Sequence, residues 1–138
     1  MSGHGLNFGD RATRSRNVVA EDIVRFTEMT GDRNPLHYDA DVAAASRFGG
    51  IIVQGGVTTG LLNALVAEDL PGPGSVFINV NWDFKAPTRP GDMITAHGEI
   101  VEVHPTKPIC TMRTSITNQH GDTLVEGTAV IYREPLIR

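Results

Sequence analysis

The chain has 138 residues, enough for one domain with a real core and too few for two. Apolar residues make up 40% and charged residues 20%, an ordinary globular balance, and a formal charge of −4 leaves no basic stripe for a nucleic acid to follow. No stretch approaches the length of a membrane span, and the one cysteine, Cys110, excludes an internal disulfide.

The opening residues, MSGHGLNFGDRATRSRN, carry no apolar run of the kind a secretory leader needs, so a cytoplasmic location is expected. VAEDIVRFTEMTGD then predicts a short amphipathic helix, with Ile23, Phe26 and Met29 at three-residue steps. Gly31 and the Asn34-Pro35 pair stop it. DADVAAASRFGG predicts a second short helix, with Asp39 as its N-cap and Gly49 as its stop. From Val57 through Leu70 the chain is apolar nearly all round, with no charge before Glu68 and Asp69. A surface helix would show a polar face, so this helix is expected to be wrapped by something large.

The second half supplies the wrapper. SVFINVNWDFK alternates, with Val76, Ile78, Val80, Trp82 and Phe84 on one expected buried face and Asn79, Asn81, Asp83 and Lys85 on the other. Pro87, Pro90 and Gly91-Asp92 mark a turn. MITAHGEIVEV, ICTMRTSIT and TLVEGTAVIYR predict three more strands, the last two joined through the hairpin signal NQHGD. Helices followed by a run of strands indicate an α+β fold, with an antiparallel sheet curled around the apolar helix.

Two places can carry chemistry. Asp32 and His37 lie in TGDRNPLHYDA, between the first two helices, and a carboxylate with an imidazole makes a workable acid–base pair. Pro35 stiffens the backbone between them. On spacing alone, an Asx-type turn closed by Asp32 and Asn34, with His37 on the surface, is the commoner outcome. Gly55 and Gly56 open the apolar helix, where unpaired N–H groups can meet a ligand oxygen as an oxyanion hole requires. Equally, the two glycines can serve only close packing. Gln54 and Asn63 are polar residues at or inside an apolar helix, either satisfied buried amides or site residues. Lys85, Arg89, Lys107 and Arg113 are candidates to meet phosphates, and Cys110 reads as a small core residue. Neither CxxC nor HExxH occurs, and the five histidines are scattered, so no metal site is expected.

Taken in order, FTEMTGDRNPLHYDADVAAASRFGGIIVQGG, the apolar helix and LPGPGSVFINVNWDFKAPTRPGD resemble the MaoC-like (R)-specific enoyl-CoA hydratases, or hydratase 2 enzymes, of the hot-dog fold. The resemblance runs from about Val18 to Tyr132 and is most specific at GDRNPLHYD, which is similar to the family's G-D-x-N-P-x-H motif. It implies one hot-dog domain over residues 1–138, in which an antiparallel sheet wraps a long central helix. It also implies roles. Asp32 would activate water, His37 would donate or relay the proton, Asn34 would order the loop, and the Gly55 N–H would polarise the thioester carbonyl. The implied reaction is reversible syn addition of water to a trans-2-enoyl-CoA, giving an (R)-3-hydroxyacyl-CoA. No cofactor is implied, because coenzyme A belongs to the substrate.

The chain departs from the family pattern beside these residues. Many members have His-Gly-Met where this chain has Gln54-Gly55-Gly56, and many place a small hydroxyl residue near Asn63. Gly56 is expected to widen the pocket and Asn63 to make its wall more polar, so Gln54, Gly56 and Asn63 are read as substrate-binding positions. A short, branched or carboxylated acyl-CoA is one reading of that polarity. Two alternatives stay open: a thioesterase of the same fold, although the helix offers no carboxylate before Glu68, and a non-catalytic acyl-CoA-binding module. Hot-dog domains of this length usually pair, so a homodimer or higher homo-oligomer is expected, with neither nucleic acid nor membrane as partner.

Overall fold

In the computed structural model, which describes residues 4–137, the chain runs β1 (Arg11–Asn17), α1 (Ala20–Thr30), α2 (Pro35–Tyr38), α3 (Ala40–Ala45) and α4 (Gly55–Ala64). The last turn of α4 widens into a π-helical stretch at Leu65–Asp69, and β2 (Ser75–Phe84), β3 (Met93–Val103), β4 (Ile109–Thr117) and β5 (Thr123–Arg133) follow. The strands form one sheet in the order β1-β3-β4-β5-β2, and every neighbouring pair is antiparallel.

One face of this sheet is dry. Burial alternates residue by residue along β3 and β4, which puts Ile94, Ala96, Ile100, Met112 and Ile116 on the helix side. Leu61, Leu62, Leu65 and Val66 of the central helix pack against them in a single core. Close approach is possible because Gly98 stands in β3. A Cβ there would lie 2.7 Å from Met112 Cε and 2.9 Å from Leu65 Cδ2. The sheet thus curls around the helix, as expected.

The structure differs from the sequence reading at several points. The central helix is wrapped on one side only: Gly55 and Asn63 are exposed, and Gly56, Gly60 and Ala64 are partly so. The buried face of α1 is Asp22, Ile23 and Thr27, while Met29 is 74% exposed, so the helix is buried along a four-residue step from Ile23 to Thr27 rather than along the three-residue steps to Phe26 and Met29. In β2 the expected buried face is largely uncovered, with Val76, Ile78, Val80 and Phe84 all at least 45% exposed. A bulge at Ile78 shifts the alternation, so Phe77 and Trp82 pack edge to face at 5.6 Å against the core. β2 is also an edge strand, paired with β5 alone. Strand β1 and the single turn α2 are not visible in the hydrophobic pattern, β1 because it is a polar edge strand. α3 begins on Asp39, whose carboxylate accepts from the Asp41 and Val42 N–H groups, but it ends at Ser46, before Gly49.

α1 is anchored by a buried charge. The Asp22 carboxylate accepts the Val19 N–H at 2.9 Å and pairs with Arg16 and, at 3.3 Å, with Arg25. Burial alone would raise its pKa, but the Val19 N–H, Arg16 and Arg25 outweigh burial and hold it below the usual carboxylate value. A carboxylate with a depressed folded pKa contributes stability above its unfolded pKa, near 3.8, and loses it as pH falls through the folded value. Asp22→Asn is therefore expected to cost about 1–3 kcal/mol in urea unfolding at neutral pH. The gap from the wild type should close as pH is lowered below the ordinary carboxylate range. A gap independent of pH would contradict the ion-pair account.

Candidate active site

The loop between α1 and α2 is a turn that holds functional groups in place. Gly31 ends α1 with φ of 83°, a conformation that glycine adopts without penalty. The chain then turns on its own side chains. Asp32 Oδ1 accepts the Asn34 N–H at 3.0 Å, and Asn34 Oδ1 accepts the Leu36 N–H at 3.1 Å. Asn34 is the N-cap of α2, with Pro35 at the first helical position. The Asx-type turn is therefore real. His37, however, is not on the surface: it is 8% exposed.

Its ring is held from behind. The Ile52 carbonyl lies 2.7 Å from His37 Nδ1 and can only accept, so Nδ1 carries a proton. The chemically variable nitrogen is then Nε2, which points to Asp32 Oδ2 at 3.9 Å. That gap is too long for a direct hydrogen bond and suits a shared water or substrate oxygen. With Oδ1 committed to the turn, Oδ2 is the oxygen that faces His37. Asp32 is the more open partner, at 37% against 7% for the His37 side chain.

Ile52 lies three residues before Gly55, so the bond to His37 ties the loop to the start of α4. Gly55 is the first helical residue, and its N–H has no acceptor within the helix. Two aromatic rings close on this turn. A Cβ on Gly55 would lie 2.9 Å from the Phe84 ring, and one on Gly56 would lie 2.3 Å from the Phe26 ring. The space expected beside Gly56 is thus filled by Phe26, and the pocket is not widened there. Both glycines serve close packing and leave their N–H groups accessible.

The other sequence candidates are scattered. Gln54 is 1% exposed, and its amide turns toward α1, donating to the Ile23 carbonyl at 3.0 Å, so it borders none of the cavities described here. Asn63 is exposed on α4. Arg89 is spent on the Phe48 and Ile51 carbonyls and Arg113 on Glu99, while Lys85 lies 3.8 Å from Glu126. Burial pushes the Cys110 thiol up to about 11, which makes it unreactive. Among the described residues, no group of three or more His, Cys, Asp and Glu side chains could hold a metal, and no helix is long and apolar enough to cross a membrane.

His37 and Gly55 open on different cavities in the single chain. His37 borders one of about 340 Å³ with Ile23, Tyr38 and Ile51. Gly55 borders another of about 490 Å³, walled by Phe48, Phe84, Arg47 and Lys85. A larger groove, about 620 Å³, runs along Gly56, Gly60 and Ala64 and touches neither Asp32 nor His37. Sequence reasoning missed Thr27, Tyr38, Phe26 and Phe84 around the site, because none has a motif and each arrives through packing.

A family model described as MaoC like domain matches residues 7–121. An (R)-specific enoyl-CoA hydratase of Aeromonas caviae is 36% identical over 131 residues, 95% of this chain and 98% of that protein. A 3-hydroxybutyryl-CoA dehydratase of Methylorubrum extorquens is 38% identical over 127 residues, covering 91% of this chain and 80% of its own. The solved structure of the (R)-hydratase from A. caviae superposes with a TM-score of 0.88 at 35% identity, over 94% of this chain and 98% of that one.

The geometry around His37 has a spectroscopic consequence. Long-range proton–nitrogen NMR of the neutral ring is expected to show the Nδ1–H tautomer. The opposite tautomer would mean that the bond to Ile52 is not formed.

Proposed function

We infer the activity from one premise: the chain belongs to the MaoC-like domain family. It is an (R)-specific enoyl-CoA hydratase of hot-dog fold, a hydro-lyase that adds water reversibly to a trans-2-enoyl-CoA. We take the whole of residues 1–138 as one such domain acting in the cytoplasm. The observation that carries the assignment of roles is the approach of Asp32 Oδ2 to His37 Nε2 at 3.9 Å, in a loop bonded to the start of α4.

In the hydration direction, Asp32 Oδ2 takes a proton from water as the water oxygen bonds to C3. The π electrons move through C2 into the thioester carbonyl, which becomes enolate-like. The Gly55 N–H, at the positive end of α4, stabilises that charge, and such a donor contributes about 3–4 kcal/mol of barrier lowering. His37, entering the step as the imidazolium with a proton on each nitrogen, delivers the Nε2 proton to C2 and is left as the neutral Nδ1–H ring, and the proton held by Asp32 then returns to Nε2. Delivery of both groups to one face makes the addition syn, attack on the C3 face that the (R)-specific relatives imply gives the (R)-3-hydroxyacyl-CoA, and dehydration is the reverse. The Nδ1 bond to Ile52 aims Nε2 at the reacting atoms.

A homodimer belongs to the same proposal. Edge strand β1 carries Arg11, Arg14 and Arg16, whereas edge strand β2 exposes Val76, Ile78, Val80 and Phe84. Three arginines protect the first edge, whereas the second has only Asp83 as a charged residue within the strand. A second copy paired along β2 would cover these residues and join the cavity at Gly55 to groups of its partner.

Hydration of crotonyl-CoA and longer enoyl-CoAs, followed by loss of enoyl absorbance, tests the roles. Asp32→Ala and His37→Ala are each expected to lower kcat by about 10²–10⁴-fold. Equal rates in the three proteins would remove these residues from the mechanism, and an inert wild type would remove the activity itself. In light scattering the wild type should have twice the chain mass, and Val80→Lys should shift it toward the monomer. A monomeric wild type at working concentration would refute the dimer.

A further inference from the structure

Thr27 has no place in the mechanism above, yet its hydroxyl is the best-connected polar atom around the site. It is 4% exposed, in the last turns of α1. Its Oγ1 donates to the Asp32 carbonyl at 2.6 Å, accepts the Tyr38 hydroxyl, and lies 3.4 Å from Gln54 Nε2. A hydroxyl has one proton and two lone pairs, and these contacts use all three. The Ile23 carbonyl, 3.1 Å from the same oxygen, is served instead by Gln54 Nε2 at 3.0 Å; the Tyr38 hydroxyl also lies 3.3 Å from that carbonyl, but its one proton goes to Thr27.

The partners sit beside the catalytic groups. Asp32 is bonded through its own carbonyl, Tyr38 follows His37 in the chain, and Gln54 precedes Gly55. The 32–38 stretch, through Asp32 and Tyr38, and the residue before α4, Gln54, therefore meet at one oxygen, each contact next to a group to be positioned. Gln54 Oε1 has no hydrogen-bond partner, so the Gln54 amide is held only through its nitrogen, toward Ile23 and Thr27. A β-branched residue is not the best helix former for this place, and an alanine would suit α1 better. The hydroxyl is what the position uses.

We propose that Thr27 is a positioning residue for the hydration reaction, its buried hydroxyl setting the relative placement of Asp32, His37 and Gly55 through the Asp32 carbonyl, Tyr38 and Gln54. The inference rests on the catalytic roles assigned above. Thr27 touches no substrate; it acts through the three groups. An error of about 1 Å among reacting groups can cost 10²-fold in rate, which sets the size of the effect.

The test compares Thr27→Val, which keeps the shape and loses the hydroxyl, with Thr27→Ser, which keeps the hydroxyl, on crotonyl-CoA, with folding checked by circular dichroism. Thr27→Val is expected to lose about 10²-fold in kcat with KM within about threefold, while Thr27→Ser stays within about threefold of the wild type in both. Tyr38→Phe should lose about tenfold in kcat, and adding it to Thr27→Val should cost little more, because both remove the same junction. Thr27→Val with wild-type kcat, or Thr27→Ser as poor as Thr27→Val, overturns the proposal. If Thr27→Val does not fold, Tyr38→Phe decides, and an unchanged kcat there overturns it. An inert wild type refutes the hydratase reading instead. Hydrogen exchange then tests the junction alone: faster exchange of residues 31–39 in Thr27→Val, with the sheet unchanged, supports it, and unchanged exchange overturns it.

Discussion

Burial of one side of α4 against the curled sheet is the constraint from which the other features follow. Leu61, Leu62, Leu65 and Val66 are buried in one core, with β3 and β4 against α4 and β1, β2 and β3 against the Leu65–Asp69 stretch, and Gly98 lets Leu65 sit close to the strands. Once the helix is seated, the direction and height of its first turn are set. The N–H of Gly55 emerges at one end of the sheet, and everything that borders it must be brought there by other segments. The loop at Asp32 arrives through the Ile52 carbonyl, and the aromatic rings of Phe26 and Phe84 close over the two glycines.

The loop that carries Asp32 and His37 shows how one stretch of chain can satisfy its backbone and still leave polar atoms facing each other. Each carboxylate or amide oxygen that caps an N–H is lost to chemistry. Asp32 divides its oxygens, Oδ1 to the Asn34 N–H and Oδ2 toward His37, and His37 divides its nitrogens between Ile52 and Asp32. The turn and the site are the same structure. The turn of the bland reading is present, but His37 is buried rather than on the surface, and the same turn leaves Asp32 Oδ2 and His37 Nε2 facing each other as the proposed roles require.

Much of this was legible locally. The stop at Gly31, the Asn34 cap with Pro35 behind it, and the Asp39 cap of α3 depend on side chains meeting backbone two or three residues away, so the sequence shows them directly. The alternation of β3 and β4 was equally plain. What failed depended on distant partners. The bulge at Ile78 brought Phe77 against the core, and no periodicity announces a bulge. β1 hides because an edge strand needs no apolar face. Gly56 suggested an open space that Phe26, thirty positions earlier, fills.

The sequence by itself determined the fold class, the family and the identity of Asp32, His37 and Gly55 as the residues to watch, because patterning, caps and a short motif are written in contiguous residues. Tertiary structure alone decided where Gln54 points and which residue would be its partner. A buried amide takes its orientation from whichever donors and acceptors packing brings to it. For Gln54 these are the Ile23 carbonyl and the Thr27 hydroxyl of a helix remote in sequence.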